Sequence, residues 1–80
     1  MTRYFFNLRE YGRTIADDEG TLLPNVDAAR DRAVVSARAL MSADLVEGRL
    51  CLDCDIEVVD EVGRTAVKLP FADAVHVTGL

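Results

Sequence analysis

Apolar and polar positions alternate from the start of the chain. Between Arg3 and Arg9, Tyr4, Phe6 and Leu8 fall on one side and Phe5, Asn7 and Arg9 on the other, which is the period of a half-buried strand. Glu10-Tyr11-Gly12-Arg13 reads as a turn and Thr14 to Ala16 as a short return strand, so a hairpin is expected. Asp17-Asp18-Glu19-Gly20 follows as an acidic loop, and Thr21-Leu22-Leu23-Pro24 leads to a segment of a different period. There Ala29, Ala33 and Ala37 recur at four-residue spacing, continued by Leu40 and Met41, and no Gly or Pro interrupts the run from Val26 to Glu47. This pattern predicts one long helix that starts at Val26, takes Asn25 as its N-cap and stops at Gly48.

Strict alternation then returns. Leu50, Leu52, Cys54, Ile56 and Val58 oppose Cys51, Asp53, Asp55, Glu57 and Val59, the clearest strand signal in the chain. Asp60-Glu61-Val62-Gly63 reads as a turn and Arg64 to Leu69 as the returning strand of a second hairpin. Pro70 ends the ladder, Phe71 is expected in the core, and Ala72 to Val77 suits either a helical turn or an edge strand. The expected fold is therefore α+β: a two-layer ββαββ arrangement in one small domain over residues 1–80, with an antiparallel sheet of two hairpins and the long helix packed on one face. The buried stripe of that helix is mostly alanine, which allows close approach to the sheet. Val35 and Val46 fall on the opposite side, with Ala28 and Ala39, and form a candidate subunit contact.

Size changes this picture by favouring assembly. A chain of 80 residues buries only roughly 60% of its unfolded surface, so a partner subunit adds needed stability. A homo-oligomer, most simply a dimer, is expected, with a second protein as a possible partner. Fourteen acidic against nine basic residues leave a net charge of -5. That balance argues against a nucleic-acid partner, because phosphate-backbone affinity comes from clustered Lys and Arg, which are scattered here. The opening Met-Thr-Arg-Tyr-Phe-Phe-Asn-Leu has no signal-peptide core, and no run approaches the ~18 apolar residues of a membrane span. Cytoplasmic localisation without membrane attachment is the expectation, and cysteines in that compartment stay reduced.

Candidate chemistry is sparse. Cys51-Leu52-Asp53-Cys54 is a CxxC, but in a continuous strand residues three apart point to opposite faces, so the pair could neither chelate one metal nor close an unstrained disulfide. Neighbouring Asp53 and Asp55 also disfavour a thiolate, and only His76 could add a further nitrogen or sulfur ligand. Structural cysteines are the preferred reading, an objection that weakens if Leu50 to Asp53 is a loop. Asp17, Asp18 and Glu19 lack the alternating ligand spacing of a calcium loop and read as a solvated acidic loop. His76 has no Ser or Cys set beside it for a triad. Tyr4, Phe5 and Phe6 read as core rather than as a base-stacking platform. No residue is assigned as catalytic, cofactor-binding or metal-ligating, and no cofactor is expected.

The segments Arg3-Tyr4-Phe5-Phe6-Asn7-Leu8-Arg9, Asp17-Asp18-Glu19-Gly20 with Leu23-Pro24, the series Ala29, Ala33 and Ala37, Gly48-Arg49-Leu50, Ile56-Glu57-Val58, Gly63 and Leu69-Pro70-Phe71 together carry a resemblance. In these the chain resembles a family of short alphaproteobacterial proteins grouped as a domain of unknown function. The likeness covers nearly the whole chain and implies no catalytic residue. This chain departs from that pattern at Asn7, where relatives often have His, and in its Cys51 and Cys54 pair. The element order also looks distantly like the small antitoxin domains of the HicB type. The expected function is that of a small non-enzymatic protein acting by self-association or protein binding. An acidic antitoxin-like module and a Cys-based metal or redox site are the alternatives.

Overall fold

The computed structural model describes all 80 residues, Met1–Leu80. The elements in chain order are β1 (Thr2–Glu10), β2 (Arg13–Ile15), β3 (Thr21–Leu23), α1 (Val26–Val46), β4 (Asp55–Val59), β5 (Thr65–Pro70) and a 3₁₀ turn (Phe71–Ala74). All strand pairs are antiparallel, and α1 packs against one face of the sheet, so the architecture is the expected α+β one. β1 is the hub. One of its edges pairs with β4 in the register Phe5↔Val59 through Arg9↔Asp55, and β4 pairs in turn with β5.

The other edge of β1 differs from the expected ββαββ order. β2 pairs with its C-terminal end, and β3, expected only as a connection, pairs with its N-terminal end in the register Thr2↔Leu23. The sheet thus has five strands and the order is βββαββ. A nine-residue β1 is long enough for two three-residue strands to share one edge, and the Asp17–Gly20 loop interrupts this single antiparallel pass without reversing its direction. Gly20 is needed for this. Its φ is +71°, and a Cβ there would come within 2.7 Å of Arg3 Cγ and 3.0 Å of the Phe5 ring.

The helix forms where its periodicity and caps place it. Asn25 is extended, and its Oδ1 accepts the Ala28 amide at 2.9 Å, satisfying one of the orphan donors of the first turn. At the other end Gly48 takes φ +81°. The Gly48 amide donates to Leu45 O, and the Arg49 amide to Asp44 O at 2.9 Å, which closes the helix in a Schellman arrangement. No helix of the protein is long and apolar enough to cross a membrane.

Ala29, Ala33 and Ala37 are fully buried, with Met41 at 4% exposure, and they face Tyr4, Ile56, Val58, Val67 and Leu69 from the sheet. The helix lies over β4, β5 and the 3₁₀ turn more than over β1. Phe6 and Leu8, on the helix side of β1, are accordingly only half-buried. Phe71 closes the core at 1% exposure, as expected from its place after Pro70, and Arg38 Nε donates to Ala74 O at 2.7 Å to tie the turn to the helix. Of the alternatives for Ala72 to Val77, the helical turn forms, and it ends at Ala74.

The strand expected from Leu50 begins only at Asp55. Its core face keeps the expected phase, with Cys54, Ile56 and Val58 all buried. The preceding residues are a loop in which Cys51 and Cys54 are joined by a disulfide. Residues three apart in a strand are about 10 Å apart, whereas these Cα atoms are separated by 5.6 Å. The geometric objection to a bridge holds for an extended chain, and the chain here is not extended.

Ala33→Leu or Ala37→Leu should overpack the helix–sheet contact and lower stability by about 1 to 3 kcal/mol in urea unfolding. Ala39→Leu, on the exposed side of α1, should leave the unfolding midpoint within error of the parent chain.

Candidate functional site

Three places carry the polar and apolar side chains expected to matter. The first is the acidic loop. Asp17 Oδ1 accepts the amides of Glu19 and Gly20, each at 3.1 Å, and Oδ2 accepts the Phe6 amide at 3.1 Å. Asn7 completes the knot, its Oδ1 accepting the Asp17 amide at 2.9 Å. Burial works to raise the Asp17 pKa, but the amides of Phe6, Gly20 and Glu19 outweigh it and hold the carboxyl below its ordinary 3.8. A carboxylate engaged by three backbone donors holds the geometry of the turn. Asp60 plays the same part in the β4–β5 turn. Its carboxyl is lowered first by the Arg64 amide, against a smaller opposing effect of burial, with Val62 and the Arg64 guanidinium adding to the lowering.

The second is the Cys51–Cys54 loop. Cys51 is half-buried, Cys54 is buried, and both line an open cleft of about 720 Å³ between this loop and the Tyr11-Gly12 turn. Arg9, Glu10, Arg13, Asp53 and Asp55 supply its polar wall. The Cys54 amide donates to Cys51 Sγ at 3.1 Å, and Asp53 Oδ1 lies 3.1 Å from the same sulfur. Arg9 Nε stands 3.7 Å from Asp55 Oδ1, a charge contact too long to be a hydrogen bond, and that oxygen has no other partner. Once reduced, Cys51, Cys54 and Asp53 would place three ligand atoms within 4.8 Å of one another. That is one short of the four that a structural zinc site takes, and His76 is not among them.

The third is an apolar groove of about 560 Å³ along the C-terminal half of α1. Met41, Leu45 and Val46 form one wall, Leu50 and Leu52 of the cysteine loop the second, and Val75 and Val77 the third. Val46 is 84% exposed and Leu45 57%. The exposed pair expected on the outer helix face is split by this arrangement: Val46 belongs to the groove, while Val35, 62% exposed, lies outside it. The i, i+4 pair Met41 and Leu45 could have been found from spacing alone. The contribution of Val75 and Val77 could not, since it depends on where the 3₁₀ turn directs the tail. His76, the single histidine, is exposed and lines none of these three features.

Replacing Asp17 with Ala removes an acceptor shared by three amides and should cost about 1 to 3 kcal/mol at neutral pH. A carboxyl whose pKa is lowered on folding stabilises above its unfolded value and loses that contribution as pH falls through the folded value. The parent should therefore lose stability on acidification below about pH 4. The Asp17→Ala chain should show a shallower decline over the same range in thermal melts.

No curated protein and no solved structure matches the chain. Residues 3–72 match a family described as a domain of unknown function, DUF6894. The matched span contains every segment from Arg3 to Phe71 that carried the sequence resemblance, the helix and all of the sheet but Thr2, and it ends before Val75 and Val77. With 70 of its residues aligned to that profile, the chain belongs to the DUF6894 family.

Proposed function

We propose that this protein acts by binding rather than by catalysis, and that a second copy of the same chain occupies the apolar groove. The observation that carries this reading is the groove beside its own exposed knob. Leu45 and Val46 project at the rim of a hollow lined by Met41, Leu50, Leu52, Val75 and Val77. A two-fold axis through such a patch lets each chain present knob to hollow, as an isologous interface requires. A stable interface buries ~800 Å² per partner, roughly 15% of this chain's 5266 Å² surface, so the contact must extend beyond the groove onto the neighbouring helix and loop surface. The small core gives such burial thermodynamic weight.

Charge favours the same occupant. The chain carries -5 overall, yet Arg38 is the one charged residue in the groove lining, and its Nε is already engaged by Ala74 O. Two acidic chains meeting there place their least charged surfaces together. Self-association should therefore strengthen with salt as the remaining repulsion is screened. A basic partner of the kind an antitoxin-like module would take should instead bind more weakly as salt rises.

Light scattering after size exclusion should give twice the 8.8 kDa chain mass, with the dimer fraction rising between about 0.05 and 0.5 M salt. Val46→Asp should yield a folded monomer, whereas Val35→Asp should remain dimeric. A parent chain that stays monomeric at millimolar concentration removes the reading.

A further inference from the structure

We propose that the Cys51–Cys54 bridge is a thiol-exchangeable clasp: a covalent modification site whose substrate is a small thiol or dithiol and whose state sets the shape of the apolar groove. The exchange chemistry stands on the cysteine loop alone; its consequence for assembly rests on the groove reading above.

The loop is built so that the bond matters locally. A bridge between residues three apart encloses a very short segment, and the stabilisation a disulfide gives by restricting the unfolded chain grows with the segment enclosed. The fold is held elsewhere, by the β1–β4–β5 ladder and the alanine face of α1. Around the bridge, however, little else holds the chain. The Leu52 carbonyl is anchored by the Ala72 amide at 3.2 Å and the Cys54 carbonyl by the Phe71 amide at 2.8 Å, but Leu50 and Cys51 make no backbone–backbone hydrogen bond. The bond to Cys54 is what fixes this side of the loop. Leu50 and Leu52, the neighbours of Cys51, are groove residues. Leu50 and Leu52 also line the cleft on which Cys51 stands, so this one short segment is the partition between the two hollows.

The two cysteines differ in burial. Both line the open cleft, but Cys51 is half-buried whereas Cys54 is only 4% exposed. An incoming thiolate can reach Cys51 Sγ: a new S–S bond forms there, the bond to Cys54 breaks, and Cys54 leaves as a thiolate that takes a proton from water. A second thiol of the reductant attacks its own sulfur in the mixed disulfide. The products are the oxidised reductant and a Cys51 sulfur that also gains a proton, so two electrons and two protons pass from the dithiol to the protein. The Cys54 amide, 3.1 Å from Cys51 Sγ, is placed to stabilise charge on that sulfur as it departs, and Asp53 Oδ1 on its other side can accept the S–H hydrogen bond once the thiol forms.

The test uses the full oxidised chain treated with dithiothreitol or glutathione under native conditions. Alkylation and intact mass should count both cysteines as modified after treatment and neither before it, with far-ultraviolet circular dichroism unchanged. Nitrogen–proton correlation spectra, recorded without alkylation, should shift at Leu45, Val46, Leu50 to Cys54, Val75 and Val77. The Cys51→Ser/Cys54→Ser chain should give the reduced pattern. The dimer dissociation constant should rise about tenfold on reduction, the scale of partly unburying one leucine. A bridge that opens only in denaturant, or thiols that label without reductant, overturns the exchange site. Full labelling with unmoved groove resonances overturns the coupling. A parent that never dimerises removes the groove reading alone, since thiol counts and resonance shifts still decide the clasp.

Discussion

Close approach between α1 and the β4–β5 hairpin is the contact on which the rest depends. Three alanines with no exposed surface put the helix axis near the strands, and Ile56, Val58, Val67 and Leu69 fill the gap from below. Bulkier residues at those positions would lift the helix and open voids around Phe71 and Tyr4. Dense packing of small against branched side chains is how a domain of this size reaches interior density with so few buried residues.

That contact also explains what is left uncovered. The helix sits toward β4, β5 and the 3₁₀ turn, so the β1–β2 side of the same face keeps Phe6 and Leu8 half in solvent. At the C-terminal half of α1, the chain must leave the helix, pass through the cysteine loop and enter β4, while the tail returns from the 3₁₀ turn. These three segments do not close over one another, and the groove is the space between them. It is a by-product of where the helix has to lie.

The helix was legible in the sequence because its signals are local: a four-residue alanine period, a capping Asn25 and a stopping Gly48. The second hairpin was legible for the same reason, through strict alternation. Two things were not. Thr21-Leu22-Leu23 is too short to show a period, and its pairing depends on the distant N-terminal end of β1. Leu50 to Cys54 alternates as well as any strand in the chain, yet forms a loop, because alternation reports which side chains face the core and not whether the backbone is extended. Cys54 obeys the pattern and is buried; Cys51 is drawn to it across the turn. The acidic loop, expected to be solvated, has its Asp17 tied to backbone amides instead. Its amide partners, Phe6 among them, have no side-chain signature.

The hub position of β1 has a bearing on how the chain comes together in time. Its first neighbours, β2 and β3, are made soon after it, whereas β4 is separated from it by the whole helix. During synthesis from the N-terminus, one side of the founding strand is zipped early and the other stays open until some fifty residues later, when Asp55–Val59 emerges. The helix likewise lacks most of its floor until then, since β4 and β5 beneath it are made after it. Order of manufacture and order of assembly thus run together in this protein, and its interior is completed only by the strands that follow the helix.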